Sequence, residues 1–223
     1  MPEAQALNSA RSPDAETVLP PSLLRTIRVV EADVNSLFTE RWSPRAFSEE
    51  PIPAETLRTL FEAARWAPSC ANEQPSLFVY ATSADDRARF ALGLSPSNRV
   101  WAERAPVLAF LFARNRFAQA GPYQGHSNPS STFDAGAAWM SLALQAHMVG
   151  LSTHAMGGIE HAEVYRLTGV SPTEYTAVVA IAIGRRADPS ALPEPLAARE
   201  RPSPRRPLNE VAVEGHFPPP APA

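Results

Sequence analysis

The chain has 223 residues, 44% of them hydrophobic, and a formal net charge of −3, which fits one globular domain and offers no basic field to attract a nucleic acid. All 20 basic residues are Arg and none is Lys, so a Lys Schiff base and a P-loop lysine are excluded. Any phosphate the chain holds must be held by guanidinium groups, hydroxyls or backbone N–H groups.

Residues 1–20 are polar and rich in Pro, Ala and Ser, and they lack a basic-then-apolar leader pattern. They predict a flexible N-terminal arm on a cytoplasmic protein with no membrane partner. Leu23, Leu24, Ile27, Val30, Val34, Leu37 and Phe38 recur at helical spacing. Pro51-Ile52-Pro53 introduces a second helix with Leu57, Leu60, Phe61 and Ala64 on one face, and Ala67-Pro68-Ser69 ends it. Ser76–Thr82 and Pro106–Ala113 read as strands. Thr132–Val149 is the strongest helix: Ser131 and Asp134 have capping-box spacing, and Gly150 stands where a terminating glycine belongs. It is apolar almost all round, which predicts a central helix buried on every side, part of it facing a second subunit. Glu160–Leu167 is a short helix closed by Gly169, and Tyr175–Gly184 reads as a central strand buried on both faces. From Pro189 the chain carries ten prolines, which predicts an extended arm over residues 189–223, behind a main domain spanning 21–188. The set predicts an α+β fold, a mixed central sheet wrapped by helices.

Four stretches could carry chemistry. Arg41-Trp42-Ser43-Pro44-Arg45 puts two guanidinium forks and a hydroxyl within five residues, which suits phosphate oxygens, although a solvated basic turn has the same appearance. Pro68-Ser69-Cys70-Ala71-Asn72-Glu73-Gln74 is a loop of small residues with two carboxamides two apart; Asn72 and Gln74 can match the donors and acceptors of a flat heterocycle, or merely decorate a polar turn. Met156-Gly157-Gly158 is a glycine turn that lets backbone approach a ligand closely. Arg205-Arg206 is a charge pair in the proline-rich tail. The single Cys70 excludes an intrachain disulfide and a thiolate zinc site and reads as a small packed loop residue. The five His show no metal-binding spacing, so no metal is expected.

In order and spacing these segments resemble the nitroreductase family. The resemblance rests on RWSPRAF, on PIP followed by a helix and AARWAPSCANEQP, and on NRVWAERAPVLAFLFA, FDAGAAWMSLALQAHMVGLSTHAMGGIE, YTAVVAIAIGRRAD and RRPLNEV, and covers roughly residues 34–213. It implies a homodimer with the long helix at the interface, C-terminal arms exchanged over the partner, and FMN in the groove between subunits. By resemblance Arg41, Trp42, Ser43 and Arg45 line the flavin phosphate, ribityl chain and pyrimidine edge. Pro68, Ser69, Cys70, Asn72 and Gln74 border the ring. Met156, Gly157 and Gly158 come from the other subunit and present a backbone N–H near flavin N5, and Arg205 and Arg206 complete the phosphate grip. Many relatives have Lys where Arg45 stands, and some have Pro-x-Glu-Gly where this chain has Ala155-Met156-Gly157-Gly158.

The implied activity is ping-pong transfer of electrons from NAD(P)H to a nitroarene, quinone or enal, with no catalytic acid or base named. Residues 115–129, with Phe117, Tyr123 and His126, are the expected roof over the substrate. A flavin carrier or sensor without turnover, an oxidative flavin enzyme on the same scaffold, and a peptide-binding module using the proline-rich tail remain open.

Overall fold

A computed structural model describes residues 28–216. The expected N-terminal arm, and Leu23, Leu24 and Ile27 of the expected first helix, lie outside the described residues.

The described chain forms seven α-helices, α1 (Ser36–Glu40), α2 (Ala54–Arg65), α3 (Ala84–Ala91), α4 (Pro96–Ala102), α5 (Ser131–Met148), α6 (His161–Thr168) and α7 (Glu194–Ala197), and four strands, β1 (Ser76–Ala81), β2 (Val107–Arg114), β3 (Ser152–Met156) and β4 (Tyr175–Gly184). The strands make one sheet in the order β1-β2-β4-β3. All three pairings are antiparallel, where the sequence leads one to expect a mixed sheet.

Strand alternation divides the core in two. Leu108, Phe110 and Phe112 of β2 and Ala180 and Ala182 of β4 face one side, where they pack with Phe90, Leu94, Trp101 and Val164 from α3, the loop after it, α4 and α6. Val107, Ala109 and Leu111 of β2 and Ile181 and Ile183 of β4 face the other, against Leu57 and Leu60 of α2 and Ala138, Leu142 and Ala146 of α5. β2 and β4 are therefore covered on both faces, which is why each reads as a nearly continuous apolar run.

Helix α2 starts where the prolines put it, with Pro53 as its N-cap, and buries Leu57, Leu60 and Ala64. Gly169 closes α6 in the left-handed conformation at φ 71°. Among the described residues of the expected first helix only Ser36–Glu40 is helical, capped by the Asn35 side chain, and Val30 and Val34 are exposed on non-helical backbone. A five-residue helix with no buried residue cannot be carried further by packing.

The capping box expected on α5 does not form. Ser130 is the N-cap and makes no side-chain cap bond, while the Asp134 carboxylate accepts the N–H of Cys70 at 3.1 Å. Within one chain α5 is buried on one side, and the part expected to face a second subunit is open. Ala135, Ala138, Leu142 and Ala146 face the core, while Phe133 is 80% exposed and Met148 66%.

In the C-terminal segment past α7, Glu200 and Pro202 are buried, while residues 203–216 are exposed, Leu208, Val211 and Val213 among them. The Glu200 side chain binds the backbone of Arg45 and Ala46, and the Leu208 N–H donates to Glu31 Oε1 at 2.9 Å. A carboxylate with two backbone donors in reach holds the segment in place.

Candidate functional site

Residues 46–48 run alongside the chain that leaves β4. Phe47 bridges Arg186, the Ala187 N–H donates to Ala46 O at 3.0 Å and the Ser48 N–H to Arg185 O at 2.9 Å. This short ladder fixes the preceding Arg41–Arg45 turn beside the end of the sheet. The tail closes on that turn from the other side. Glu200, 8% exposed, accepts the N–H groups of Arg45 and Ala46 through Oε1 at 2.6 and 2.8 Å. Arg28, equally buried, donates Nε to Ser203 O at 3.3 Å and Nη1 to Arg41 O at 2.9 Å, and it also reaches Thr39 O. One guanidinium thus ties three separate stretches together through its fork of donors.

Between these stretches lies a cavity of about 260 Å³ lined by six arginines: Arg28, Arg41, Arg45, Arg199, Arg201 and Arg205. Trp42, Ser43, Ser203 and His154 complete its wall, and among the described residues no carboxylate lines it. Arg41 carries the clearest signature. Its Nε and Nη1 are buried and have no hydrogen-bond partner among the described residues. Burial, and then the neighbouring Arg205, push the Arg41 guanidinium below its ordinary pKa. Burial, then Arg205 and Arg41, do the same to Arg28. Buried donors and converging like charges are costly when nothing answers them, and an oxyanion answers both at once.

His154, on β3, supplies the apolar edge of this wall. Its ring lies 4.6 Å from that of Trp101, and Nδ1 is 2.9 Å from Pro44 O. A carbonyl oxygen can only accept, so Nδ1 carries the proton. Burial foremost, with Arg45 and Arg41 nearby, lowers the His154 pKa to about 4 despite its backbone hydrogen bonds. The imidazole is neutral at pH 7 and adds no further charge to the arginines.

The loop after α2 is strained. Ala71, Asn72 and Gln74 have φ of 51°, 55° and 54°, a left-handed conformation that costs non-glycine residues about 1–2 kcal/mol each. It is held by Asn72 N–H to Ser69 O at 3.0 Å, Gln74 N–H to Ser69 Oγ at 2.9 Å and Cys70 N–H to Asp134. Its outer residues Pro68, Cys70, Asn72 and Gln74 are exposed. The thiol of Cys70 is thus not packed into the loop as the sequence suggests, because at this residue it is the backbone N–H that is anchored inward, on Asp134. Pro68, Ser69 and Gln74 line a second cavity of about 240 Å³ between α2 and α5, with Phe61, Phe78 and Asp134.

The glycine turn follows β3 directly, a strand the sequence reading leaves inside a turn. Met156 is 3% exposed and its side chain sits in the core, so what it can offer a ligand is its backbone, the role the resemblance implies. A Cβ on Gly158 would lie 2.7 Å from Asn98 Nδ2 and from Ser95 Oγ, so a larger residue would make these two side chains shift where the turn docks on the start of α4. There Gly158 O accepts from Ser95 N–H at 3.1 Å and from Asn98 Nδ2 at 3.0 Å. Gly157 is exposed.

In the expected roof, Phe117 is 8% exposed and packs on Tyr123, with ring centroids 5.4 Å apart, while Tyr123 and His126 are exposed. Only the latter two present side chains to solvent.

The chain thus brings Arg41, Trp42, Ser43, Arg45 and Arg205 to one cavity. Arg206 is exposed and does not line it. Arg28, His154, Arg199 and Arg201 belong to the cavity and were not singled out from sequence. The repeated arginines at 199, 201, 205 and 206 were the available signal for two of them; nothing in the local sequence marked Arg28 or His154. Among the described residues no group of three or more His, Cys, Asp or Glu could hold a metal ion, and no helix is long and apolar enough to cross a membrane.

Comparison with known proteins bears on this arrangement. A protein named NADH dehydrogenase/NAD(P)H nitroreductase from Xanthomonas oryzae pv. oryzae is 31% identical over 147 residues, 60% of this chain and 75% of that protein. One of the same name from Stenotrophomonas maltophilia is 33% identical over 104 residues, 46% of this chain and 53% of that protein. A crystal structure described as an oxidoreductase containing FMN is 42% identical and superposes with a TM-score of 0.81 over 86% of this chain and 96% of that one. A nitroreductase structure in complex with FMN from Desulfovibrio desulfuricans is 27% identical, with a TM-score of 0.66 over 85% of this chain and all of that one. The nitroreductase family model matches residues 38–100 and 92–185, more than half of the chain, and the chain belongs to the nitroreductase family.

Proposed function

We propose that the chain is an FMN-dependent oxidoreductase that takes electrons from NAD(P)H and passes them to small electron-poor acceptors such as nitroarenes, quinones or enals. The observation that carries this reading is the pair of buried, unpartnered N–H donors on Arg41 in a cavity lined by six arginines. That cavity fits a phosphomonoester dianion, and the FMN-containing relative at 42% identity supports the choice of flavin phosphate. When bound, FMN supplies the hydride-accepting and hydride-donating centre of a ping-pong cycle.

The chain's own part is to bind and orient. Arg41, Arg45 and Arg205 would hold the phosphate, with Arg28 and Glu200 fixing the segments that carry them. Asn72 and Gln74, held outward by the strained loop, would border the ring with Pro68, Ser69 and Cys70. The backbone of residues 156–158 would present N–H groups, and Tyr123 and His126 would face the acceptor. None of these residues is assigned proton transfer.

The active form is a homodimer in this reading. Phe133, Gly136, Met140, Leu144 and Met148 fall on one stripe of α5, opposite the stripe of Ala135, Ala138, Leu142 and Ala146 that faces the core. An apolar stripe left open on a helix already buried on its other side is suited to a second copy.

The test is an absorbance spectrum of the purified protein followed by anaerobic titration with NADH and NADPH. A yellow protein bleached by one of them and recoloured by a quinone is the expected outcome. A yellow protein that neither nicotinamide reduces would make it a flavin carrier, and a colourless protein that takes up no FMN would refute the reading.

A further inference from the structure

Between the two exposed carboxamides Asn72 and Gln74 stands Glu73, which points the other way. It is 5% exposed, and its carboxylate leaves the 70–74 loop and accepts backbone N–H groups from the 115–129 segment: Ala118 N–H to Oε1 at 2.8 Å and Gln119 N–H to Oε2 at 3.3 Å. Gln119 returns the contact. Its carboxamide Nε2 donates to Asn72 O at 2.7 Å and to Glu73 O at 3.3 Å. The two segments are thus held by a reciprocal clasp whose donors and acceptors match.

The 115–129 segment closes on itself beyond this clasp. Phe117 N–H donates to His126 O, Gly125 N–H to Phe117 O, Arg116 Nη1 to Gly125 O and Asn128 N–H to Asn115 O. It behaves as a preformed unit whose attachment to the flavin-bordering loop runs through Glu73 and Gln119. Both ends of the clasp are charge-assisted or carbonyl-directed hydrogen bonds, one of them at a buried carboxylate, so loosening either end leaves unanswered polar groups.

We infer that Glu73 and Gln119 are positioning residues that set the height of the roof above the flavin-bordering loop, and so determine which acceptors enter. The inference rests on the proposed roof role of residues 115–129. It places acceptor selectivity in a buried carboxylate whose hydrogen bonds go to the backbone N–H groups of the roof.

The test compares the wild-type holoenzyme with Glu73→Gln, Gln119→Ala and Tyr123→Ala. Glu73→Gln keeps the volume but turns an NH2 group against a backbone N–H, and Gln119→Ala removes the returning donors. Both are expected to retain full FMN and to speed hydrogen exchange at amides 118 and 119 about tenfold. Both should also lower, at least fivefold, the ratio of KM for a two-ring quinone to KM for a one-ring quinone, with kcat unchanged. A purely structural role would speed exchange without moving that ratio, and this result would overturn the inference. So would loss of FMN from both variants. Tyr123→Ala separates the two readings: if it shifts the ratio and the clasp variants do not, the roof stands and the clasp fails; if none of the three shifts it, the roof fails too.

Discussion

The Glu200 carboxylate and the backbone of Arg45 are joined at 2.6 Å, with Ala46 N–H sharing the same oxygen at 2.8 Å. Residues 155 apart in sequence are thereby joined across the cavity that the two arginine-bearing stretches line. Glu200 lies between Arg199 and Arg201, which both line the cavity, yet it spends its charge on backbone N–H groups and leaves those guanidinium groups to a ligand.

Replacing Glu200 with Ala should therefore harm both fold and binding. Hydrogen bonds to a charged group are each worth about 1.5–3 kcal/mol, so thermal or denaturant unfolding should report a loss of that order or somewhat more. FMN retention should fall with it, because the tail arginines lose their anchor. A variant with wild-type stability and full flavin would show that the bond is incidental.

His154 predicts a pH dependence. Its folded pKa of about 4 lies below the ordinary value of 6.5, so below pH 6.5 the unfolded chain binds a proton that the folded chain refuses. Stability rises with pH wherever the unfolded state binds more protons. The contribution of His154 is therefore intact above about pH 6.5 and lost as the pH falls towards 4, with an upper bound of ~3 kcal/mol at 1.36 kcal/mol per pH unit. Denaturant unfolding of His154→Gln should show a flatter decline than wild type between pH 6.5 and 4.5. Parallel declines would contradict the buried neutral imidazole.

Ala71 holds φ 51° in a loop whose neighbours Asn72 and Gln74 are also left-handed. Ala71→Gly removes the Cβ clash at a position glycine adopts freely, and should raise stability by about 1 kcal/mol, which at this chain length is a rise of about 2–4 °C in Tm. A fall in Tm would mean that the loop relaxes into ordinary backbone in solution.

Much of the fold was legible where local chemistry and tertiary packing agree. Pro53 starts α2, Gly169 closes α6, and the nearly continuous apolar run Tyr175–Gly184 is a central strand with the bounds its pattern suggests. The losses have physical causes. Helices α3 and α4 have eight and seven residues, too short for apolar periodicity to stand out, although the Ser83 side chain caps one and Pro96 opens the other. Met156 looked like part of a glycine turn because a strand of five residues ends at it. Asp134 looked like a cap but serves the Cys70 loop, a partner 64 residues away that no local pattern reveals. At the site, Arg41, Ser43 and Arg45 were legible because they are adjacent. Arg28 and His154 were not, because what joins them to that cluster is the folded chain alone.

The central claim is that the six-arginine cavity recognises the phosphate of a flavin, and the most direct measurement is the affinity of apoprotein for FMN against riboflavin, which lacks only that phosphate. Wild-type protein should bind FMN at least a hundredfold more tightly, about 2.7 kcal/mol, and Arg41→Ala should erase most of the difference while leaving riboflavin binding unchanged. Equal affinities for the two flavins in the wild-type protein would contradict the account.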